Sequence, residues 1–324
     1  MIPTAARPSD EAAGRAPELT VIIVSYNTRA LTLKALETLY ATTRLTRFHT
    51  VVLDNASSDG SAEAIAEAYP QVELIASREN LGFARANNLV AEAARSDWLL
   101  LLNPDTECHE NAVDALMAFS KAHPEAGITG GRTVFPDGSL NIASCWMRIT
   151  PWSAFCKAAG LSSLFSHSMV FNPEAMGGWQ RDSVREVDIV VGCFMMVRRS
   201  LWQELGGFDL KYFMYGEEAD LCLRARALGY RPMITPDAQI MHLVGAASKS
   251  QARKYALLAK ARLTLMQDHW PGWQLPFGRA TLAFWVGSRA LLTGLVARLS
   301  GRGQEAARKW ADIWSDRHDW LKGY

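Results

Sequence analysis

A carboxylate stands three residues after a short apolar run that could form one buried strand. Residues 98–102 (Trp-Leu-Leu-Leu-Leu) fit a strand covered on both faces, and Pro104 cannot continue its hydrogen-bond ladder. Asp105 therefore falls just past the carboxyl end of a buried strand, where open α/β sheets bind ligands. Such a carboxylate can anchor Mg²⁺ or Mn²⁺ shared with a substrate phosphate. Alone, it also fits an ordinary loop after a core strand.

Two further strand-like segments end in side chains that could hold a nucleotide. These side chains are Ser25, Tyr26 and Asn27 after residues 19–24, and Asp54 and Asn55 after residues 50–53. If the strands are parallel, all of them land on the same sheet edge as Asp105. An aromatic ring, amides and a carboxylate suit a base and ribose, although each is also common in polar turns.

A third candidate is the start of a predicted helix at residues 80–88, NLGFARANN. Free N–H groups and the helix dipole attract anions at such a start, and Arg85 adds a fixed positive charge. We expect Gly82, Arg85 and Asn88 to take part in binding the donor. The segment contains neither GxGxxG nor GxxxxGK[ST], so dinucleotide oxidoreduction and P-loop hydrolysis have no support.

Three carboxylates, Glu217, Glu218 and Asp220, open another predicted helix. A carboxylate there can act as a general base if a substrate hydroxyl comes within hydrogen-bond reach. The same residues would also serve simply to cap the helix. His242 follows the strand-like residues 239–241 and is either a structural histidine or a metal ligand.

Alternating strands and helices must position these groups. The predicted strands are residues 19–24, 50–53, 72–75 and 98–102, and the predicted helices are residues 29–42, 61–69 and 81–94. This alternation predicts parallel βαβ units in a layered α/β sheet. Beyond residue 131 the pattern predicts a turn at 134–139, a long irregular excursion at 145–183, a strand within 187–197 and a helix at 217–228.

Composition sets the broad class. The 324 residues are 49% apolar, and the five cysteines form no CxxC pair. Residues 1–18 lack an apolar signal region, so we expect a disordered leader and a cytoplasmic protein. Residues 1–248 carry 21 Lys/Arg and 28 Asp/Glu, whereas residues 249–309 carry 11 Lys/Arg with only Asp268 and Glu305. The chain therefore combines an acidic body with a basic C-terminal segment.

Taken in order, these segments resemble the inverting GT-A glycosyltransferases of family 2, in particular the bacterial rhamnosyltransferase-like branch. The matching pieces are VSYN at 24–27, DNASSDGS at 54–61, NLGFARANN at 80–88, LLNPDT at 101–106, GGFD at 206–209, FMYGEEADLCLRARALGY at 213–230, and His242 with Ser248. Each piece is weak alone, but their shared order over about residues 19–268 is specific. The resemblance implies a GT-A (Rossmann-like) mixed sheet flanked by helices.

The resemblance also implies roles for single residues. Asn103 and Asp105 occupy the metal-binding DxD position, with Asn in place of the first Asp. Asp54 falls where the family contacts the nucleobase. Glu218 falls at the catalytic base, and His242 falls where the family often supplies a further metal ligand.

The catalytic pair departs from the family pattern, because the usual Glu-Asp reads Glu217-Glu218 here. Around it we expect Glu217, Asp220 and Trp179 to contact the acceptor. A metal-bound diphosphate is a stable leaving group. Glu218 would deprotonate an acceptor hydroxyl that attacks the anomeric carbon from the opposite face, so that one displacement inverts the configuration without a covalent intermediate.

The resemblance implies a dTDP- or UDP-sugar donor, with rhamnose suggested by the branch, and a glycan or polyprenyl-diphosphate-linked acceptor. No nucleic acid is expected as a partner. The sequence leaves the donor sugar, the linkage and the oligomeric state open. A catalytically inactive GT-A module that binds nucleotide or glycan is the alternative, favoured only by the Glu217-Glu218 departure. A purely structural or tethering protein would leave the ordered motifs unexplained.

The expected organisation is a GT-A domain over residues 19–248 and a basic helical segment over residues 249–324. Residues 280–299 are apolar over nearly the length of a membrane span, but Arg289 in their middle would be costly in hydrocarbon. We expect either an interfacial segment or a helix packed on the catalytic domain. The first alternative would make the protein peripheral on the inner face of the cytoplasmic membrane, because basic charge and tryptophans suit an anionic surface.

Overall fold

The computed structural model describes residues 16–243 and 251–324. The expected leader over residues 1–18 therefore lies almost wholly outside the described residues, as does Ser248, and both expectations stay predictions. Glu18, at the end of that segment, donates its backbone N–H to the Arg47 carbonyl at 3.1 Å.

The described chain alternates strands and helices up to residue 122 and then becomes less regular. The strands are β1 Leu19–Ser25, β2 Phe48–Asp54, β3 Glu73–Ala76, β4 Trp98–Leu102, β5 Thr106–Cys108, β6 Ile128–Val134, β7 Leu140–Asn141, β8 Cys145–Trp146, β9 Arg185–Glu186, β10 Ile189–Val190, β11 Phe194–Arg198 and β12 Met233–His242. The helices are α1 Arg29–Thr42, α2 Ser61–Ala68, α3 Gly82–Ala93, α4 Ala112–Ala122, α5 Pro151–Ala158, α6 Leu161–Leu164, α7 Arg199–Leu205, α8 Glu217–Ala227, α9 Gln251–His269, α10 Leu275–Ser300, α11 Gln304–Ser315 and α12 Arg317–Trp320.

The main sheet is mixed, with the order β3-β2-β1-β4-β11-β6-β12-β5 among its principal strands. The β1–β2, β1–β4 and β2–β3 pairs are parallel, as the alternating pattern predicts, whereas β11 runs antiparallel to β4. Every residue of β4 is buried, because helices cover both faces of the sheet. Two apolar clusters, one on each face, form the core.

The excursion at residues 145–183 is more regular than its sequence predicts. It contains α5, whose first turn is closed by a capping box: Thr150 Oγ1 accepts from the Ser153 N–H at 3.1 Å, and Ser153 Oγ accepts from the Thr150 N–H at 2.9 Å. Pro151 occupies the first helical position, which suits its fixed φ. Helices of only one or two turns show too little periodicity to be recognised by pattern, so the cap was the only local signal.

The C-terminal helices pack on the body of the protein. Side chains of α5, α9, α10, α11 and α12 share one apolar cluster, which includes Leu263, Leu282, Trp285, Ile313 and Trp320. The first half of α10 therefore packs against α5 and the other C-terminal helices. The second half of that helix is largely exposed.

Three hydrogen bonds connect this C-terminal region to α8 and the loop before it. His269 Nε2 lies 3.0 Å from Asp220 Oδ1, and Tyr212 Oη donates to Asp268 Oδ2 at 2.6 Å. Tyr324 Oη donates to the Met214 carbonyl at 2.6 Å. The C-terminal helices thus contact α8, which carries Glu218, and the loop that precedes it.

Candidate active site

Parallel strands bring the predicted polar residues to one edge of the sheet. The carboxyl ends of β1 and β2 lie side by side, with Ser25 opposite Asp54 in the register. Asp105 follows β4, which pairs with β1 on its other side. The antiparallel pairing of β5 with β12 places His242 opposite Thr106, the residue after Asp105. Residues at the carboxyl ends of β1, β2, β4 and β12 therefore lie along the same edge of the sheet.

Asp105 and His242 form the centre of this edge. Asp105 Oδ1 lies 3.3 Å from His242 Nε2, and the two side chains are only 12% and 8% exposed. The Leu243 N–H donates to the Asp105 carbonyl at 3.1 Å and holds the backbone beside the histidine. Burial lowers the pKa of His242, but the neighbouring Cys193 and Asp105 outweigh it and raise that pKa to about 10.

This pair fits a divalent cation. A carboxylate oxygen and an imidazole nitrogen this close together can bind the same ion, and carboxylates suit Mg²⁺ and Mn²⁺. His242 Nδ1 is buried without a hydrogen-bond partner among the described residues, so part of the ring's bonding capacity is unused. Asp105 and His242, the two expected metal ligands, thus lie next to each other, and their ligand atoms suit a divalent cation.

Glu217 and Glu218 start α8 beside this pair. Gly216 precedes them with φ +94°, and a Cβ there would come within 2.9 Å of the Tyr212 ring, so only glycine fits the turn. Oε2 of each glutamate is buried without a hydrogen-bond partner among the residues described. The turn at Gly216 is therefore followed by two carboxylates, each with one oxygen that accepts no hydrogen bond from the described residues.

The two glutamates differ in their proton affinity. Burial raises the pKa of Glu217 well above its usual range, and the charge of Glu218 raises it further. Burial also raises the pKa of Glu218, although backbone N–H groups at the helix start oppose that rise. Burial thus raises the pKa of both carboxyls, and that of Glu217 the more strongly.

The segment Gly192–Phe194 connects the base to the Asp105–His242 pair. A Cβ at Gly192 would lie 3.9 Å from Glu218 Cβ. The next residue, Cys193, accepts the Asn103 N–H through its carbonyl at 3.1 Å and lies beside the His242 ring. Glu218 and the metal-fitting pair thus both lie near one short stretch of backbone.

Polar loops beside β1 and β2 form the expected nucleotide side of the site. Asp54 Oδ2 accepts from the Ser57 N–H at 3.0 Å, whereas buried Oδ1 has no partner among the described residues. Asn27 has φ 52°, donates its N–H to Ser57 Oγ at 2.9 Å and accepts from the Ser58 N–H at 2.8 Å. Tyr26 is 46% exposed and offers a ring surface. These contacts leave Asp54 and Tyr26 available for a base and a ribose.

The start of α3 completes this side. Asn55 accepts the Leu81 N–H at 2.7 Å, and Asn80 accepts the Gly82 N–H at 2.9 Å, so these donors are already used within the loop. Gly82 has φ +75° and lies close to the Phe213 carbonyl before α8. Arg85 makes one long ion pair, with its Nη1 3.9 Å from Glu79 Oε1, and both side chains are largely exposed, so most of the guanidinium faces solvent.

Four of the expected contact residues make contacts within the protein. Ser25 Oγ is occupied by Thr28 and Thr32 at 3.1 and 3.0 Å. Asn88 bonds both the N–H and the carbonyl of Phe208, at 2.9 and 2.8 Å, and fixes the GGFD loop.

The other two lie behind the site. Asp220 accepts from Arg224 Nε at 2.7 Å and pairs with His269. Trp179 is 9% exposed within the core cluster, with the Arg185 guanidinium 4.4 Å from its ring centre. Both side chains thus have partners within the protein, and their contact with an acceptor stays a prediction.

Sequence reasoning missed the residues that frame the base. Gly192 lies near Glu218 and Cys193 lies near His242, and a Cβ at Gly192 would meet the Phe83 ring at 3.4 Å. Asn80 shapes the start of α3 through the contacts described above. Only Asn80, an asparagine two residues before a helical glycine, left a local signal, since the other contacts depend on long-range packing.

Two other features lie apart from this edge. Asp220, Asp268 and His269 place potential ligand atoms within 4.8 Å of one another, but Arg224, Tyr212 and Lys211 already bind the two carboxylates. A cavity of about 490 Å³ lies between α8 and the α9–α10 connection, and Ile149, Leu223, Arg226 and Trp270 are among its lining residues.

Comparisons with known proteins agree with this arrangement. The sequence profile described as "Glycosyl transferase family 2" matches residues 20–206. An N-acetylglucosaminyl-diphospho-decaprenol L-rhamnosyltransferase of Mycobacterium tuberculosis is 29% identical over 267 residues, which cover 78% of this chain and 84% of that protein. Rhamnosyltransferase WbbL of Escherichia coli is 27% identical over 229 residues, covering 68% and 82%.

A solved structure shares the fold. The mannosyltransferase PcManGT from Pyrobaculum calidifontis, solved with GDP-Man and Mn²⁺, superimposes with a TM-score of 0.57 at 18% identity. The match covers 95% of this chain and 88% of the other. The mixed sheet and its flanking helices are thus those of the GT-A fold.

Proposed function

The chain belongs to glycosyl transferase family 2, and from that premise we propose that it transfers a sugar, with inversion, from a nucleotide-diphosphate donor to a polyprenyl-diphosphate-linked acceptor. The observation that carries this proposal is that Glu218, whose Oε2 has no hydrogen-bond partner among the described residues, and the Asp105–His242 pair both lie near the segment Gly192–Phe194. A base on one side and a phosphate-anchoring site on the other are what a single displacement at an anomeric carbon requires.

The protein's own residues would act as follows. Glu218 accepts the proton of an acceptor hydroxyl as its oxygen forms a bond to the anomeric carbon. The bond from that carbon to the donor's diphosphate breaks on the opposite face, and the nucleoside diphosphate leaves with the bonding electrons. Glu217, next to the base in the chain, would contact the acceptor without taking its proton.

Asp105 and His242 would hold Mg²⁺ or Mn²⁺, and Arg85 would meet the diphosphate at the start of α3. When bound there, the metal stabilises the negative charge that develops on the leaving diphosphate. Asp54 Oδ1 is a buried acceptor with unused capacity. It therefore suits the ring N–H of a uracil or thymine, which supports a UDP- or dTDP-sugar.

The similar proteins support rhamnose as the sugar and a polyprenyl diphosphate as the anchor of the acceptor. The two proteins named above that are similar in sequence are both rhamnosyltransferases. The name of the Mycobacterium tuberculosis protein includes N-acetylglucosaminyl-diphospho-decaprenol. Such an acceptor would serve the synthesis of a cell-surface polysaccharide.

The proposal is tested by incubating the purified protein with Mn²⁺, dTDP-rhamnose or UDP-sugars, and a polyprenyl-diphosphate-linked N-acetylglucosamine. Transfer with the opposite anomeric configuration, measured by NMR of the product, is the expected result. Retention of configuration would contradict the single displacement. Donor binding without transfer to any acceptor would indicate the alternative, a GT-A module that binds its ligand without catalysis.

A further inference from the structure

The second half of α10 exposes an apolar surface that no described part of the chain covers. We call its side chains the α10 face: Leu291, Leu292, Leu295, Val296 and Leu299, each at least half exposed. Toward the start of the helix the exposed apolar residues continue with Trp273, Phe277 and Phe284. An apolar surface of this extent on a soluble domain marks an interaction site.

Positive charge surrounds this face. Residues 270–311 contain six Lys/Arg and a single acidic residue, Glu305. Arg279, Arg298, Arg302 and Arg308 are exposed, and the described residues provide no ion-pair partner within 4.0 Å for any of them. Exposed cations beside exposed leucines complement a bilayer surface, in which anionic headgroups cover an apolar acyl layer.

The packing of α10 argues against a membrane span. Residues Gly272–Ser300 are long and apolar enough to cross a bilayer by length and composition, but the first half of the helix is packed in the protein. Leu282, Trp285 and Val286 are buried there, and α11 folds back along α10. Spanning the bilayer would strip these contacts and carry Arg289 into hydrocarbon.

The charge also argues against a second copy of the chain as the partner. Two α10 faces packed together would juxtapose like charges, because α10 carries Arg279, Arg289 and Arg298 and no acidic residue. An anionic bilayer offers the opposite charge and an apolar layer together. The neighbouring helix α5, which contacts α10, adds the half-exposed rings of Trp152 and Phe155, and rings of this kind favour the interfacial zone.

We propose that the α10 face docks the protein peripherally on an anionic lipid bilayer, with α10 lying in the plane of the headgroups. This inference deepens the proposed function, because it names the surface on which a lipid-linked acceptor would be met. Docking does not require catalysis, so it can be measured without donor, acceptor or metal.

The test is sedimentation of the full chain with phosphatidylcholine vesicles, with and without phosphatidylglycerol. We expect binding to the anionic vesicles that weakens as salt rises. Leu292→Ser with Leu299→Ser should lower the partition about tenfold, because two exposed leucines no longer enter the apolar layer. Arg298→Gln with Arg302→Gln should lower it roughly 30-fold at low salt, since each cation near the surface contributes about a fivefold gain.

Matched controls come from elsewhere on the surface. Leu45 is 84% exposed in the loop between α1 and β2, so Leu45→Ser should leave binding unchanged. Arg95→Gln with Arg231→Gln removes two exposed cations away from α10 and should have little effect. All these variants should keep the wild-type melting temperature and the transfer activity toward a water-soluble acceptor.

Three outcomes would overturn the proposal. The first is no sedimentation with anionic vesicles at low salt. The second is binding that the α10 variants and their controls reduce equally. The third is binding that resists high salt and alkaline carbonate, which would indicate a spanning helix. Concentration-dependent dimers that the leucine variants abolish, without lipid binding, would assign the face to a second copy instead. Failure of sugar transfer alone would reject the proposed function and leave the docking result intact.

Discussion

At the scale of single residues, the site depends on carboxylates that the fold leaves without partners. Asp54 Oδ1, Glu217 Oε2 and Glu218 Oε2 are all buried without hydrogen-bond partners among the residues described. Burying such groups costs free energy that a purely structural site would avoid by pairing them. Their shared location at one sheet edge is therefore better explained by ligands that complete them.

Asp105→Asn should keep the fold and weaken nucleotide-sugar binding in Mn²⁺ by about tenfold or more, because a neutral amide is a poorer metal ligand. Isothermal calorimetry with a UDP- or dTDP-sugar measures this. Asp97→Asn, at the opposite end of β4, is the matched control and should bind normally. Equal affinity of Asp105→Asn and wild type would remove Asp105 from the metal site.

Glu218→Gln should bind the donor normally and lose roughly 100-fold or more in turnover, the usual cost of a missing general base. Glu217→Gln should lose much less, because in the proposed mechanism Glu218, and not Glu217, accepts the acceptor's proton. Steady-state kinetics of both variants decide between them. A severe loss confined to Glu217→Gln would exchange the two roles.

The raised pKa of Glu217 also predicts how stability depends on pH. A carboxyl whose pKa is higher in the folded state binds its proton more tightly when folded. Its contribution to stability is full below the unfolded pKa of about 4.3 and is lost as the pH rises through the folded value. Glu217→Gln should therefore raise the free energy of unfolding at neutral pH and leave it unchanged in acid. Urea denaturation across this range measures the difference, and a destabilised variant at neutral pH would contradict it.

At the scale of elements, one buried ion pair links α9 to the irregular segment at residues 145–183. Arg262 makes two hydrogen bonds to Glu174, at 2.7 and 2.8 Å, and both side chains are about 15% exposed. Burial opposes ionisation, but Arg262 outweighs it and holds the pKa of Glu174 at about 2. The stabilisation is thus present above the unfolded pKa of a glutamate and is lost as the pH falls toward 2.

Glu174→Gln should lower the free energy of unfolding by about 3–5 kcal/mol at neutral pH, because it leaves the buried Arg262 without its counter-charge. Asp319→Asn breaks the pair with Lys260, in which Asp319 is 70% exposed, and should cost less than about 1 kcal/mol. Denaturant titration of both variants makes the comparison. Equal losses would mean that burial does not set the value of the pair.

The elements that sequence predicted well are those with strong local signals. The bounds of β4 and α1 follow from an uninterrupted apolar run and from helical periodicity, and both are confirmed. The pairing of β5 with β12, which brings His242 to Asp105, joins segments more than a hundred residues apart. No local pattern encodes such a pairing, so the residues alone left His242 as either a structural histidine or a metal ligand, and only the family resemblance favoured the ligand.

Site residues divide in the same way. Asp54, Asp105 and Glu218 stand at element ends, and the structure brings them to one sheet edge. Asn88 and Trp179 were predicted to contact ligands. In the structure Asn88 bonds the Phe208 backbone, and Trp179 lies in the core cluster. A polar or aromatic side chain looks the same in the sequence whether its partner is a ligand or the Phe208 backbone, because that partner lies far along the chain.

At the scale of the whole molecule, the C-terminal helices form part of the folded body. Leu282 is 3% exposed in the cluster shared with α5, α9 and α11. Leu282→Ala should cost about 2–5 kcal/mol through lost burial and the cavity left behind. Leu291→Ala, in the same helix but 73% exposed, should cost less than about 0.5 kcal/mol. Thermal unfolding of the pair measures the contrast, and a harmless Leu282→Ala would mean that α10 is not firmly packed.

The hydrogen bond from Tyr324 to the Met214 carbonyl affects how this protein could be recombined with its relatives. Together with the His269–Asp220 and Tyr212–Asp268 contacts, it joins the last helices to the loop and helix that carry the base. A chimaera joined just after His242 would exchange one partner of each contact and keep the other. The region from residue 206 to the last residue should therefore be exchanged as one block, with the base and its supporting helices taken from the same parent.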